Sequence, residues 1–227
     1  MWAVWAEASP QILVPGRYHG DEVKATSGEK WLGLFLPADG GTVVAPVVLQ
    51  VDTVLDELLD ENGVRTGKRV GFDGGEELAL WLMKDVPRVA PGPVRTIATD
   101  VTLAPNEPVP LSLEATHPLV VQLSCPAPES AKGGKPPACE LVLREGEKTQ
   151  ILATYEAYYE EGTLRSVGND APVRIVWAGD LDRDGRLDLV VDLSDHYNLA
   201  RPTLFLSADG QEGAIVTAVA QHQSTGC

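Results

Sequence analysis

A chain of 227 residues with 44% hydrophobic and 22% charged side chains is long enough to bury a core and too apolar to be wholly disordered. Eighteen Lys and Arg against thirty-three Asp and Glu leave a net charge of −15, and with no basic cluster this excludes a nucleic-acid partner. No apolar run reaches the roughly eighteen residues of a membrane helix, so no transmembrane segment is expected.

The chain opens Met-Trp-Ala-Val-Trp-Ala-Glu-Ala. It lacks the basic start and full apolar core of a signal peptide, yet Ala6-Glu7-Ala8 has the small-x-small form of a cleavage site. The tail of an export signal and an ordinary frayed terminus both fit. Beyond it, 17 prolines and 22 glycines punctuate short apolar runs, a rhythm of strands and turns rather than long helices. Strands are predicted over 31–36, 43–51, 94–97, 109–113, 119–123, 140–143, 150–153, 173–177, 187–191, 203–206 and 214–219. In the run 173–177, Val173, Ile175 and Trp177 alternate with Arg174 and Val176, as in a half-buried strand. The predicted fold is all-β, mainly antiparallel strands and hairpins in a sandwich- or barrel-like arrangement.

One segment departs from this pattern. Val51, Val54, Leu55, Leu58 and Leu59 follow helical spacing and Asn62-Gly63 supplies a stop, predicting a short helix over 51–61. The alternative is a strand running into an Asn-Gly hairpin turn with Val64 onward. Segments 34–40 and 204–210 repeat each other as Leu-Phe-Leu, a turn and a further apolar run, which reads as reuse of one hairpin chemistry rather than a duplicated half-domain. The Pro-rich stretch 87–110 is either a boundary between two lobes or edge strands within one domain. The preferred organisation is a single β-rich domain over 1–227.

Cys125 and Cys139 flank a Pro/Gly/Lys loop between the runs 119–123 and 141–143. If those runs pair as a hairpin, the two thiols face each other at its base and bridge in an oxidising compartment. Cys227 is then left over, unless it takes one of the other two as partner.

The clearest chemistry lies in Asp180-Leu181-Asp182-Arg183-Asp184-Gly185-Arg186-Leu187-Asp188. Calcium takes six to eight oxygens, and a tight loop supplies them when alternate residues face inward. Asp180, Asp182 and Asp184 stand at positions 1, 3 and 5, and Gly185 has the backbone freedom for the sharp turn that must follow. Arg186 then offers its carbonyl with its side chain in water, Asp188 closes the shell, and Leu187 anchors the loop to the core. A solvated acidic turn is the competing reading, but converging carboxylates repel unless a cation sits among them. Magnesium is disfavoured because it prefers water-rich octahedral sites.

Position 12 of the loop is Val191, not the glutamate of a helix–loop–helix calcium site. The strand–loop–strand over 173–193, with Gly-Asp-Leu-Asp-x-Asp-Gly-x-Leu-Asp-Leu-Val-Val, resembles the FG-GAP repeat of integrin-type β-propellers and of many exported bacterial proteins. That resemblance implies that Asp180, Asp182, Asp184 and Asp188, with the Arg186 carbonyl, hold Ca2+. Propellers carry several copies and this chain has one, so a propeller is not implied. The tail from His196 to Cys227 more loosely resembles exported bacterial proteins with a solitary copy, which brings no assigned activity.

Catalytic signals are weak. There is no nucleophile elbow, no H-E-x-x-H and no P-loop, and the Gly-Gly pairs at 40–41, 74–75 and 133–134 read as turns. Asp195-His196 has the form of an orienting pair for a general base, although such neighbours are more often structural. Trp31, Trp81 and Trp177 sit in apolar runs and read as core, which weakens a sugar-stacking role. The sequence therefore predicts a calcium-binding, non-enzymatic exported protein, periplasmic or extracellular, with an unidentified protein or envelope component as partner. A hydrolase or a carbohydrate- or ligand-binding protein with structural calcium is the alternative.

Overall fold

The computed structural model describes residues 9–37, 41–73, 79–113, 118–127, 137–208 and 213–226. Among these residues every regular element is a strand, the ladders are antiparallel, and the sheets form a nearly closed barrel and a half-barrel. The chain divides into two compact units, one spanning residues up to 93 with 219–222, the other 94–218 with 223–226. The division falls inside the Pro-rich stretch 87–110.

The first unit contains β1 (Gln11–Leu13), β2 (Gly16–Tyr18), β3 (Lys30–Phe35), β4 (Thr42–Val54), β5 (Gly67–Phe72) and β6 (Ala79–Lys84). They pair in the order β1-β6-β3-β4-β5-β2. Trp31, Leu49, Val70 and Leu82 build its core, the last wholly buried.

The predicted helix over 51–61 is not formed. Val51 and Val54 belong to β4, where they pair with Val70 and Gly67 of β5. Cross-strand hydrogen bonding outweighs helical spacing here, because the long strand β4 already has β3 along one part and a partner edge on β5 along the rest. What survives of the helical signal is one turn, in which the Asp60 amide donates to the Asp56 carbonyl at 2.9 Å. Leu55, Leu58 and Leu59, which a packed helix would bury, are exposed. Asn62 and Gly63, at φ 57° and 82°, turn the chain back within the longer connection from β4 to β5.

The second unit contains β7 (Gly92–Thr102), β8 (Pro108–Leu111), β9 (Leu119–Ser124), β10 (Ala138–Glu145), β11 (Lys148–Glu160), β12 (Thr163–Val167), β13 (Arg174–Asp180), β14 (Asp188–Asp192), β15 (Leu199–Ala200), β16 (Pro202–Ser207), β17 (Val216–Gln221) and β18 (Ser224–Thr225), with β7 starting at Gly92 and β17 running past residue 218, each partly in the first unit's share of the chain. One sheet runs β12-β11-β10-β9-β8, and another contains β7-β13-β14-β16. Alternation is clean in β9, where Leu119, Val121 and Leu123 point into the core. By contrast, every residue of β14 and β16 is buried, so both faces are covered: Leu189-Val190-Val191 and Leu204-Phe205-Leu206 form unbroken apolar centres, and Asp188, Asp192, Thr203 and Ser207 are buried beside them. The cysteine geometry follows from register: Ser124 opposes Glu140, so Cys125 and Cys139 face each other and are joined by a disulfide.

Trp31, Trp81 and Trp177 are all buried. The repeated Leu-Phe-Leu segments end β3 and β16, and the turns that follow them, with Ala6-Glu7-Ala8, Trp2, Trp5, Cys227 and the Gly-Gly pairs at 74–75 and 133–134, lie outside the described residues.

Candidate metal centre

The 180–188 loop joins two strands of the second unit. β13 ends on Asp180 and β14 begins on Asp188, and the antiparallel register sets Gly179 opposite Asp188. Both anchors are therefore held by sheet hydrogen bonding before the loop contributes anything. Gly179 is required in this position: a Cβ there would stand 2.1 Å from the Arg95 carbonyl oxygen and 2.5 Å from the Trp177 ring. Within the loop Gly185 takes φ 82°, as the sharp turn demands, and Arg183 also turns through the left-handed region at φ 64°. Leu181, wholly buried, is the apolar anchor, while Leu187 packs against the core only in part.

Asp180, Asp182 and Asp188 come together, with one carboxylate oxygen from each lying within 4.8 Å of the others. Asp188 has no solvent exposure. One of its oxygens accepts the amides of Leu181 at 2.7 Å and Asp182 at 3.3 Å, and the other accepts the Ser207 amide at 2.8 Å. Burial pushes the Asp188 carboxyl up to about 7, the Asp182 charge adds to that rise, and the Ser207, Leu181 and Asp182 amides oppose it. Asp180 Oδ2 accepts the Gly185 amide at 3.2 Å, whereas Asp180 Oδ1 is buried with no hydrogen-bond partner. A buried carboxylate oxygen with spare lone pairs, beside two further carboxylates, is the arrangement that a cation among them relieves. The group can hold a metal ion.

Asp184 stands apart from that trio. Its Oδ2 accepts the Ser207 hydroxyl at 2.5 Å and its Oδ1 the Arg186 amide at 2.8 Å. The Arg186 side chain does not extend into water as the loop pattern suggests: its guanidinium donates to the Ala208 carbonyl at 2.6 Å. The reason is tertiary. β16 pairs with β14, so the end of β16 lies beside the loop and brings the Ala208 carbonyl within Arg186's reach.

Ser207 was not legible as a site residue, although it ties both Asp184 and Asp188 to β16. Its only sequence signal is its place at the end of the second Leu-Phe-Leu segment. Asp195 and His196 do not act on each other. Asp195 accepts from Arg201 at 3.2 Å, and His196 Nδ1 accepts the Asn198 amide at 3.1 Å while its ring stacks on Tyr197.

No protein-family model matches the chain, and no curated protein or solved structure matches it.

Proposed function

We propose that this chain is a calcium-binding, non-enzymatic exported protein in which one Ca2+ fastens the turn between β13 and β14. The observation that carries the reading is the convergence of Asp180, Asp182 and Asp188 within 4.8 Å. Three carboxylates at an all-oxygen site suit a hard cation, and the FG-GAP-like spacing favours calcium over magnesium. The ion would also lower the electrostatic cost of keeping Asp188 ionised in a buried place. Export is supported by the Cys125–Cys139 disulfide, a cross-link that persists in oxidising compartments.

Thermal melts in EDTA, in millimolar calcium and in millimolar magnesium test this. Calcium at about a hundred times its Kd adds ~2.7 kcal/mol of stability. The expected result is a melting temperature several degrees higher in calcium than in EDTA, little response to magnesium, and no calcium response in an Asp180→Asn/Asp182→Asn variant. Identical melts in EDTA and calcium, with no calcium found by elemental analysis, would overturn the proposal. Full alkylation of Cys125 and Cys139 in freshly isolated, unreduced protein would overturn the export part alone.

A further inference from the structure

β16 ends beside the metal loop, and Ser207 and Ala208 grip that loop at three points. The Ser207 hydroxyl donates to Asp184 Oδ2 at 2.5 Å, and the Ser207 amide donates to Asp188 Oδ1 at 2.8 Å. The Ala208 carbonyl accepts the Arg186 guanidinium at 2.6 Å. Other contacts come from the loop itself: the Gly185 amide donates to Asp180 Oδ2 and the Asp184 amide to Asp182 Oδ1, both at 3.2 Å.

The hydroxyl contact to Asp184 differs from the rest in what it opposes. Asp188 is buried and accepts amides from Leu181, Asp182 and Ser207, so its place is fixed without any hydroxyl. Asp184 lies on an exposed stretch of the loop, and its Oδ1 accepts the Arg186 amide. With Asp180, Asp182 and Asp188 already convergent, like charge pushes a fourth carboxylate outward into water. The Ser207 hydroxyl works against that push. It belongs to a residue that is only 3% exposed, at the end of a strand paired with β14. A hydroxyl donating to a carboxylate makes one of the stronger hydrogen bonds, and a packed strand is a firmer anchor for it than an exposed loop.

We propose that Ser207 is a positioning residue of the metal centre. Its hydroxyl keeps Asp184 available as a fourth carboxylate for the ion, so affinity for calcium depends on β16, a strand outside the 173–193 segment. This rests on the calcium reading given above. A ligand held in place beforehand need not be ordered at the moment of binding, and hydrogen-bond partners that orient metal ligands are worth about 10–100-fold in affinity.

Removing the hydroxyl isolates this contact, because Ser207→Ala keeps the main-chain amide that holds Asp188.

The test uses the full chain, with calorimetric titration of calcium and thermal melts in EDTA and in calcium. Ser207→Ala binds calcium about tenfold more weakly, and its melting temperature rises less between EDTA and a fixed calcium concentration. Ser207→Thr, which keeps a hydroxyl, restores most of the affinity. Wild-type protein that binds no calcium refutes the calcium reading, and this inference falls with it. Calcium binding by the wild type that Ser207→Ala matches overturns this inference alone. So does a loss that Ser207→Thr shares in full, because the site then answers to the shape of residue 207 and not to its hydroxyl.

Discussion

Replacing Gly179 by alanine probes how closely the metal loop depends on its neighbouring strand. The added Cβ would lie 2.1 Å from the Arg95 carbonyl oxygen, so β7 must retreat by about 1 Å before the contact reaches even 3.0 Å. The obstacle is main chain, and no rotamer change relieves it. A retreat of that size lengthens the β7–β13 hydrogen bonds next to Thr96 beyond useful range and strains the bond from Trp177 Nε1 to Thr96 Oγ1, now 2.8 Å. Two or three lost bonds at ~1 kcal/mol each, with an overpacking cost of ~1–3 kcal/mol, predict a destabilisation of about 3–6 kcal/mol. Urea unfolding in EDTA measures this without contribution from metal. Because Asp180 is the next residue, calorimetric titration with calcium should also show weaker binding in the variant. A loss below about 1 kcal/mol with an unchanged denaturant slope would show that β7 slides freely past β13, and the reasoning would fail.

Leu181→Ala empties a wholly buried position at the start of the loop and should cost about 2–5 kcal/mol in EDTA; a cost under 1 kcal/mol by urea unfolding would mean the loop is not anchored there. The hydrogen bond between His19 and Asp56 raises the histidine above its ordinary 6.5 and lowers the aspartate below its ordinary 3.8. The histidine's contribution is complete below 6.5 and is lost as pH rises through its raised folded value, while the aspartate's is present above 3.8 and is lost as pH falls through its depressed folded value. Urea midpoints for the wild type and His19→Gln should therefore differ most between those two ordinary values and converge toward both extremes, and a pH-independent difference would contradict the pairing. Reducing the Cys125–Cys139 disulfide, whose partners are 14 residues apart, should lower stability by about 3 kcal/mol, checked by urea unfolding with and without dithiothreitol.

Three parts of the molecule were legible before any coordinates. The strand rhythm was one, because short apolar runs between Gly and Pro leave little room for helices, and all eleven predicted runs overlap strands. The carboxylate cluster was another, legible in part: of the expected set Asp180, Asp182, Asp184 and Asp188 with the Arg186 carbonyl, the structure brings Asp180, Asp182 and Asp188 together as a group that could hold an ion, all of them lying within nine residues of one another. The cysteine bridge was the third, legible only as a condition: if 119–123 and 141–143 pair as a hairpin Cys125 faces Cys139, with Cys227 leaving the choice of partner open, and the register decides it. The short strands β1, β2, β5, β6 and β12 escaped notice because several of them carry too few apolar residues to show a period of two.

Tertiary pairing decided the rest. Residues 51–59 satisfy a helical pattern, yet β5 offers Val51 and Val54 a hydrogen-bonded edge, and a single helical turn cannot compete with that ladder. Ser207 reaches the loop only because β16 pairs with β14 in the register that sets Leu189 against Phe205. Arg186 turns from water to the Ala208 carbonyl for the same reason. Spacing along the chain determines which carboxylates can converge on an ion. Which of them are buried, and which atoms hold them there, depends on strands far away in sequence, because burial and hydrogen-bond satisfaction are properties of the packed sheets and not of the loop.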